Sequence, residues 1–550
     1  MHVDTCTYQR GDKTYTRHLL RESYRAQGKV LKRTIANLSH CSDAEIAAIK
    51  LALQHKENLV ELGTLEDLKL TPGTRLGAVF ALNALAERFG LPAALGRDRQ
   101  GRLALWQVLA RLIDQGSRLS AVRLAERHGA PDLLGLDAFH EDDLYRNLAW
   151  LCDNQDQIEQ RLFQARAPRL AAPQLFLYDV TSSYFEGVDN ALAAYGYNRD
   201  GKLGKMQIVI GLLCDATGEP VAVRVFDGNT QDTATVPEQI RALAEQFGAQ
   251  HVTLVGDKGM LKGPQIKQLG EAEFNYITSL SKPEIRTLLA TGALQLTLFD
   301  EQVMEAADEA AGLRYVVRRN PVRAAEVRRN RRERVWQVGE TAVAKNEYLA
   351  KSVRRQAEVA LRQVREKIAR YKLKGILEVE LRDRQISVSL NAAALDDAET
   401  LDGCYVIKTD LPIAVADRHT VHDRYRDLAK VEHAFRTFKN GHLETRPIFV
   451  RTEKSTRGHV LVVMLAYLIE RRLAELWRGL ECTVPEGIDE LGSLRGTIIE
   501  INGVSCQRVP QPAKPDLAAE LLEAAKIKLP PVLPLRGVHV VTRKKLVDER

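Results

Sequence analysis

Two aspartates stand where chemistry could be done: Asp179 in LFLYDVTSSYF and Asp257 in HVTLVGDKG. Each closes an apolar run of strand character. Carboxylates at one edge of a sheet can share a hard divalent ion, because Mg²⁺ takes one or two carboxylates plus substrate phosphate and leaves its other positions to water. Either aspartate alone reads better as a turn or helix-cap residue, so the chemistry needs a third carboxylate. The segment RYRDLAKVEHAFRTFKNGHLE offers Glu432, spaced from Tyr425, Leu428 and Lys439 by seven, four and seven residues, intervals that fall near one helical stripe. Phe435 and Phe438 mark its buried side; the plainer alternative is an exposed, salt-bridged helix. Glu186 is the rival carboxylate, but Gly187 after it favours a loop.

The elements that must position these residues follow from periodicity. From Gln174 the order is strand, hairpin (KMQIVIGLLCDATGEPVAVRVFDG), helix over Thr235 to Phe247, and strand. A further helix and strand lie in GPQIKQLGEAEFNYITSL. A strand pair, ILEVELRDRQISVSLN, interrupts the pattern before a strand at Cys404 to Thr409, a helix over Asp423 to Asn440 and an apolar helix from His459 to Trp477. Upstream, residues 1–70 suggest a small α+β module and Gly73 to Ala165 a helical domain, with AAPQ (171–174) as the linker out of it. The tail from Gly479 is punctuated by Pro and Gly, with one helical piece, DLAAELLEAAKIK.

Composition bounds the function. With 550 residues, 45% of them hydrophobic, and a net charge of +7, the chain is an ordinary multidomain globular protein. The longest apolar run, Val460 to Ile469, is too short to cross a bilayer, and the N-terminus has no signal-peptide pattern, so a cytoplasmic protein is expected. Seven scattered cysteines without a CxxC pair indicate neither disulfides nor zinc, and His419 and His422 read as packed or solvated. Charge is concentrated: Arg314 to Lys374 holds 19 Lys and Arg against six Asp and Glu. Its densest part, Arg318 to Arg334, points to a nucleic acid, and core packing is expected for Trp336.

In this order, YDVTSSYFEG, GYNRDGK, QIVIGLL with FDGNTQD, VGDKGM and YRDLAKVEHAFRTFK resemble the DDE transposases of bacterial insertion sequences. More narrowly, they are similar to the branch with a Tyr-x₂-Arg-x₃-Glu-x₆-Lys signature and an insertion before the catalytic glutamate. The resemblance implies an RNase H-like catalytic core, a mixed sheet flanked by helices and interrupted by an insertion, within a multidomain α/β chain. It implies Asp179, Asp257 and Glu432 as catalytic carboxylates holding two Mg²⁺ ions, with Mn²⁺ able to substitute, for water-driven cleavage at the element's ends and 3′-OH strand transfer into target DNA. The implied domains are an N-terminal α+β module (1–70), a helical domain (71–170), the core in two parts (171–284 and 403–478), a basic insertion (285–402) and a C-terminal segment (479–550) suited to dimerisation. The first two are expected to bind DNA.

Candidate DNA contacts are Tyr425, Lys439, Arg436, Lys258, Arg199, Lys205 and the run Arg328, Arg329, Arg331 and Arg332, while Asn229 and Asp232 are expected to shape a loop near the site. The implied partners are double-stranded DNA, as terminal inverted repeats and as target, and a second copy of the chain in the DNA complex; no membrane is expected. The signature's arginine position is held by Leu428, which leaves Arg426 or Arg436 to contact phosphate and leaves the second-strand cleavage route open. Two other readings stand beside this one: a DNA-binding descendant without catalysis, and a Mg²⁺-dependent nuclease of the same fold.

Overall fold

The computed structural model describes residues 1–10, 13–26, 29–54, 56, 69–166, 175–187, 189–249, 251–439, 442–446, 449–501, 504–540 and 542. The expected linker at 171–174 lies outside them. The chain divides into two compact units, Met1–Arg88 with Gly96–Leu144 and Ile469–Arg550, and Phe89–Leu95 with Tyr145–Leu468.

The second unit is built on a mixed eight-stranded sheet. Its strands in chain order are β1 (Leu175–Tyr184), β2 (Gln207–Asp215), β3 (Pro220–Phe226), β4 (Thr253–Gly256), β5 (Asn275–Ser279), β6 (Met304–Asp308), β7 (Leu313–Arg319) and β8 (Cys404–Thr409), arranged β6-β7-β8-β5-β4-β1-β2-β3. β1, β4 and β5 are parallel. β2 and β3 add as an antiparallel hairpin on one side, and β8, β7 and β6 extend the other.

Central strands are covered on both faces, which is why LFLYDVTSSY reads as nearly continuous apolar sequence. Phe176, Tyr178 and Val180 pack with Val236 and Ile240 of α1 (Asp232–Arg241) and Leu269 of α2 (Gly263–Glu271). Asp179 is out of phase with them and faces the other side of the sheet. It is the one residue from Leu175 to Ser183 that is not fully buried.

β6 and β7 lie in sequence taken above as part of the basic stretch or its approach. LRYVVRR alternates as a strand with Tyr315, Val316 and Val317 buried. Arg314 is buried with it, its guanidinium donating to Glu305, 2.5 Å away, and to the Leu411 and Ala416 carbonyls. Arg318 donates to the Glu301 carbonyl and meets the ring of buried His422.

The helix α3 (Pro321–Ala350) follows. The proline that interrupts the arginine run begins this helix, at a position where its missing N–H is not needed, and Asn320 caps it by accepting from Arg323 N. With α4 (Ala357–Arg370) and the hairpin Leu377–Arg382/Gln385–Leu390, α3 encloses a separate small core around Val338, Leu361, Val364 and Ile386. Trp336 is not in it. The ring is 64% exposed, correcting the expectation of core packing.

The segment read as one helix over Asp423 to Asn440 is two, α5 (Arg418–Arg426) and α6 (Leu428–Lys439), parted at Asp427. α6 packs on β1 and β2 through a face of Leu428, Val431, Ala434, Phe435 and Phe438. The helix α7 (Glu453–Leu476) follows.

In the first unit, the strands His2–Arg10, Lys13–Ala26 and Lys29–Asn37 form an antiparallel sheet ahead of the helix Asp43–Gln54. Helices Gly77–Arg88, Arg99–Ile113 and Arg118–Arg127 follow. The tail is more ordered than its Pro/Gly pattern suggests: Arg495–Ile501, Val504–Arg508 and Val532–Pro534 join Lys69–Arg75 in a four-stranded sheet. Among the described residues, no helix is long and apolar enough to cross a membrane.

Candidate active site

Register brings the two aspartates together. In the parallel pair β1 and β4, Tyr178 stands opposite Gly256, so the next residues, Asp179 and Asp257, emerge side by side on the same face. Beyond Gly256 the chain turns, with Met260 N and Leu261 N donating to the Asp257 carbonyl.

Glu432 arrives from α6. The helix buries Val431 and Phe435, and Glu432 lies exposed between those two positions. The three charges feel one another. Burial pushes the Asp179 carboxyl up to about 7; its hydrogen bond from Val180 N opposes this, the negative charges of Asp257 and Glu432 reinforce it, and the Arg199 cation opposes it.

The donors here are hard oxygens, the type that suits Mg²⁺ rather than a soft metal. Among the described residues no three His, Cys, Asp or Glu side chains stand as a ready ligand cage. A cage is not required for Mg²⁺, which is held by one or two carboxylates with substrate oxygens completing its shell.

Tyr425, at the end of α5, reaches into the site: its hydroxyl lies 2.7 Å from Ser279 Oγ and 3.4 Å from Asp257 Oδ1. Burial is the main cause that pushes this phenol up to about 12. It therefore stays protonated and can donate to Asp257. Ser279, the last residue of β5, carried no signal in the sequence.

The loop after β1 carries the site's cations and their counter-charges. Arg199 N donates to Ser182 Oγ, and the Arg199 guanidinium pairs with Asp232 at 2.5 Å. The neighbouring Asp200 accepts from Lys439 Nζ at 2.7 Å. One short loop thus ties β1 to the start of α1 and to the end of α6. Asp232, expected to shape a loop near the site, holds the Arg199 guanidinium, and Asp200 is one acid within a loop motif. Lys258, Lys205 and Arg436 are exposed. Glu186 pairs with Arg446 at 2.9 Å and lies outside the carboxylate group.

The arginine run stands apart, on α3. Arg331 makes a forked contact, 2.6 and 2.7 Å, with Asp402, whose side chain is fully buried. Arg328, Arg331 and Arg332 also surround Glu399. Arg331 is thus held by structure first, and Arg329 is exposed and makes none of these pairs. Leu428, at the signature's arginine position, is buried, and Arg426 is exposed.

Residues 171–469 match the family model described as the transposase DDE domain, and residues 4–67 match the N-terminal domain of IS1634 family transposases. No curated protein matches the chain. Among solved structures, the cryo-EM structure of a piggyBac transposase synaptic complex with hairpin DNA is similar at 10% identity and a TM-score of 0.35, with 77% of this chain and 82% of that one covered. The Mos1 transposase paired-end complex with left transposon end is similar at 11% identity and a TM-score of 0.14, with 30% and 58% covered.

Proposed function

Because the chain belongs to the DDE transposases of insertion sequences, as its motifs indicate, we propose that it cuts DNA at the ends of its element and joins the freed 3′ ends to target DNA. What supports this is the parallel register that sets Asp179 beside Asp257, together with the Glu432 charge that is felt at Asp179. The order β3-β2-β1-β4-β5, with only β2 antiparallel to both its neighbours, supports an RNase H-like core. The separate small core around α3 and α4 supports an insertion placed before Glu432.

Asp179, Asp257 and Glu432 would hold the divalent ions, Mg²⁺ in this reading. Bound there, the ions would activate the attacking oxygen and stabilise the leaving oxygen of an in-line displacement at phosphorus. The chain's own residues do the rest. Tyr425 fixes the Asp257 carboxylate by donating to it, and Asp232 and Asp200 hold Arg199 and Lys439 at the rim, where each can exchange its carboxylate for a DNA phosphate. Lys258, Lys205, Arg436 and Arg329 add exposed positive charge for the same polyanion. A second copy of the chain in the DNA complex completes the proposal, since two ends must be processed together.

The test is incubation with a labelled duplex taken from the DNA immediately outside the reading frame, with Mg²⁺ or with chelator. Metal-dependent release of a defined 3′-OH end supports the reading. Tight binding without a cut would replace it with a DNA-binding descendant.

A further inference from the structure

Tyr425 can hold Asp257 only if α5 holds Tyr425, and α5 is poorly equipped to dock itself. Its nine residues, RHTVHDRYR, bury just Val421 and His422, whereas a helix normally stays on a sheet through an apolar stripe. Val421 and His422 lie four and three residues before Tyr425, on the same face of the helix. One of the two buried anchors is thus a histidine, so the hydrogen bonds of its ring decide how α5 sits.

His422 is 3% exposed, and both its ring nitrogens are engaged. Nδ1 lies 3.0 Å from Asp423 Oδ1. Nε2 lies 2.5 Å from the Tyr405 hydroxyl and 3.3 Å from Arg318 Nη1. A guanidinium can only donate and a carboxylate only accept, so these partners fix the tautomer: Nδ1 carries the proton and donates it to Asp423, and Nε2 accepts. Burial holds the Tyr405 phenol above its ordinary range, so it keeps the proton it donates to Nε2. The Tyr405 and His422 rings also stack, with centroids 5.9 Å apart.

The partners come from strands beside the site. Tyr405 is on β8, two residues before Ile407, which pairs with Ser279, the residue whose hydroxyl Tyr425 meets. Arg318 is on β7, directly opposite Tyr405. Arg314, earlier on β7, donates to the Leu411 and Ala416 carbonyls and so fixes the chain just ahead of α5. β7 and β8 therefore hold this helix at its approach and at its middle, and Tyr425 reaches from its end to Asp257.

We propose that His422, with Tyr405 and Arg318, is the positioning unit for Tyr425: it docks α5 on β7 and β8 and thereby sets the Asp257 carboxylate for the reaction. The proposal rests on the transposase reading and deepens it, since it makes three residues that touch neither DNA nor metal govern the use of Mg²⁺.

The test uses the full chain, the end duplex and a Mg²⁺ titration. Tyr405→Phe removes one hydroxyl; His422→Leu removes the bonds of the ring and keeps an apolar side chain. Tyr405→Phe should slow cleavage several-fold and His422→Leu about ten-fold or more, each needing more Mg²⁺ for half its maximal rate while binding the duplex with an affinity close to wild type. His422→Gln, whose Oε1 can take the place of Nε2 as acceptor, should recover most of the loss. Added to Tyr425→Phe, His422→Leu should slow cleavage less than about two-fold further, because both act through the same hydroxyl. Effects that multiply, or a His422→Gln variant no better than His422→Leu, would overturn the positioning while leaving transposition standing. A second arm needs no cleavage: in chelator, the α5 amides of Tyr405→Phe should exchange about five-fold or more faster than those of wild type, with the β1 and β4 amides unchanged. Unchanged exchange in α5 would overturn the docking. A wild type that cuts nothing would remove the transposition reading, and the exchange arm would still decide how α5 is held.

Discussion

Replacing Asp179 with asparagine should stabilise the metal-free protein, and should do so more at high pH than at low. Burial, reinforced by the charges of Asp257 and Glu432, raises this carboxyl from 3.8 to about 7 in the folded chain. The folded state therefore keeps the proton after the unfolded chain has released it. Stability falls as pH rises from about 4 to about 7, by about 1.4 kcal/mol per unit, and levels above that. The full penalty is at most about 4 kcal/mol at pH 8 and about 1.5 kcal/mol at pH 5. Asparagine keeps an oxygen for Val180 N and carries no charge, so Asp179→Asn should gain about 2.5 kcal/mol more at pH 8 than at pH 5. The assay is hydrogen exchange of the β1 amides in chelator at both pH values, where this difference is close to a 70-fold change in protection. An equal effect at the two pH values, or a loss at pH 8, would refute the claim that Asp179 is desolvated beside the charges of Asp257 and Glu432.

Three further outcomes follow from the packing. Arg331→Ala should strip the fork from buried Asp402 and destabilise the α3 and α4 region by about 3 kcal/mol, read as faster exchange in the helix Ala392–Thr400, while Arg329→Ala should leave that exchange unchanged. Tyr425→Phe should lower cleavage by about ten- to a hundred-fold through the loosened Asp257 carboxylate, with part of the loss recovered at higher Mg²⁺ in a cleavage titration. Gly211→Ala should cost about 1–3 kcal/mol in urea unfolding, because Gly211 lies opposite Val180 on β2 and a Cβ there would collide with the Tyr178 ring.

Much of the sheet was legible because its inner strands are apolar on both faces and short turns separate them: β1 to β5 and β8 all follow from that pattern. β7 was hidden by Arg314, Arg318 and Arg319, whose charges outweighed the alternation of Tyr315 and Val317. Only the structure supplies the Glu305 carboxylate and the carbonyls that make a buried arginine tolerable there. The strands after Gly479 were illegible for a different reason. Arg495–Ile501 pairs with Lys69–Arg75, and periodicity carries no information about a partner so far away in the chain.

The same limit applied at the candidate site. Asp179, Asp257 and Glu432 stood out by type and by motif, but the parallel register that sets the aspartates side by side is a property of the folded pair. The loop from Tyr197 to Lys202 read as a motif with two basic residues. That Asp200 and Asp232 hold Lys439 and Arg199 depends on contacts spanning 239 and 33 residues. The pairing within the arginine run was equally out of reach, since Glu399 and Asp402, the acids that hold Arg331, lie some 70 residues further on.

The central claim is that three carboxylates form one metal-dependent phosphodiester site. Asp179→Asn, Asp257→Asn and Glu432→Gln should each reduce Mg²⁺-dependent cleavage of the end duplex by at least about a thousand-fold, while each binds that duplex with an affinity close to wild type. Cleavage within about ten-fold of wild type by any one of the three would contradict it.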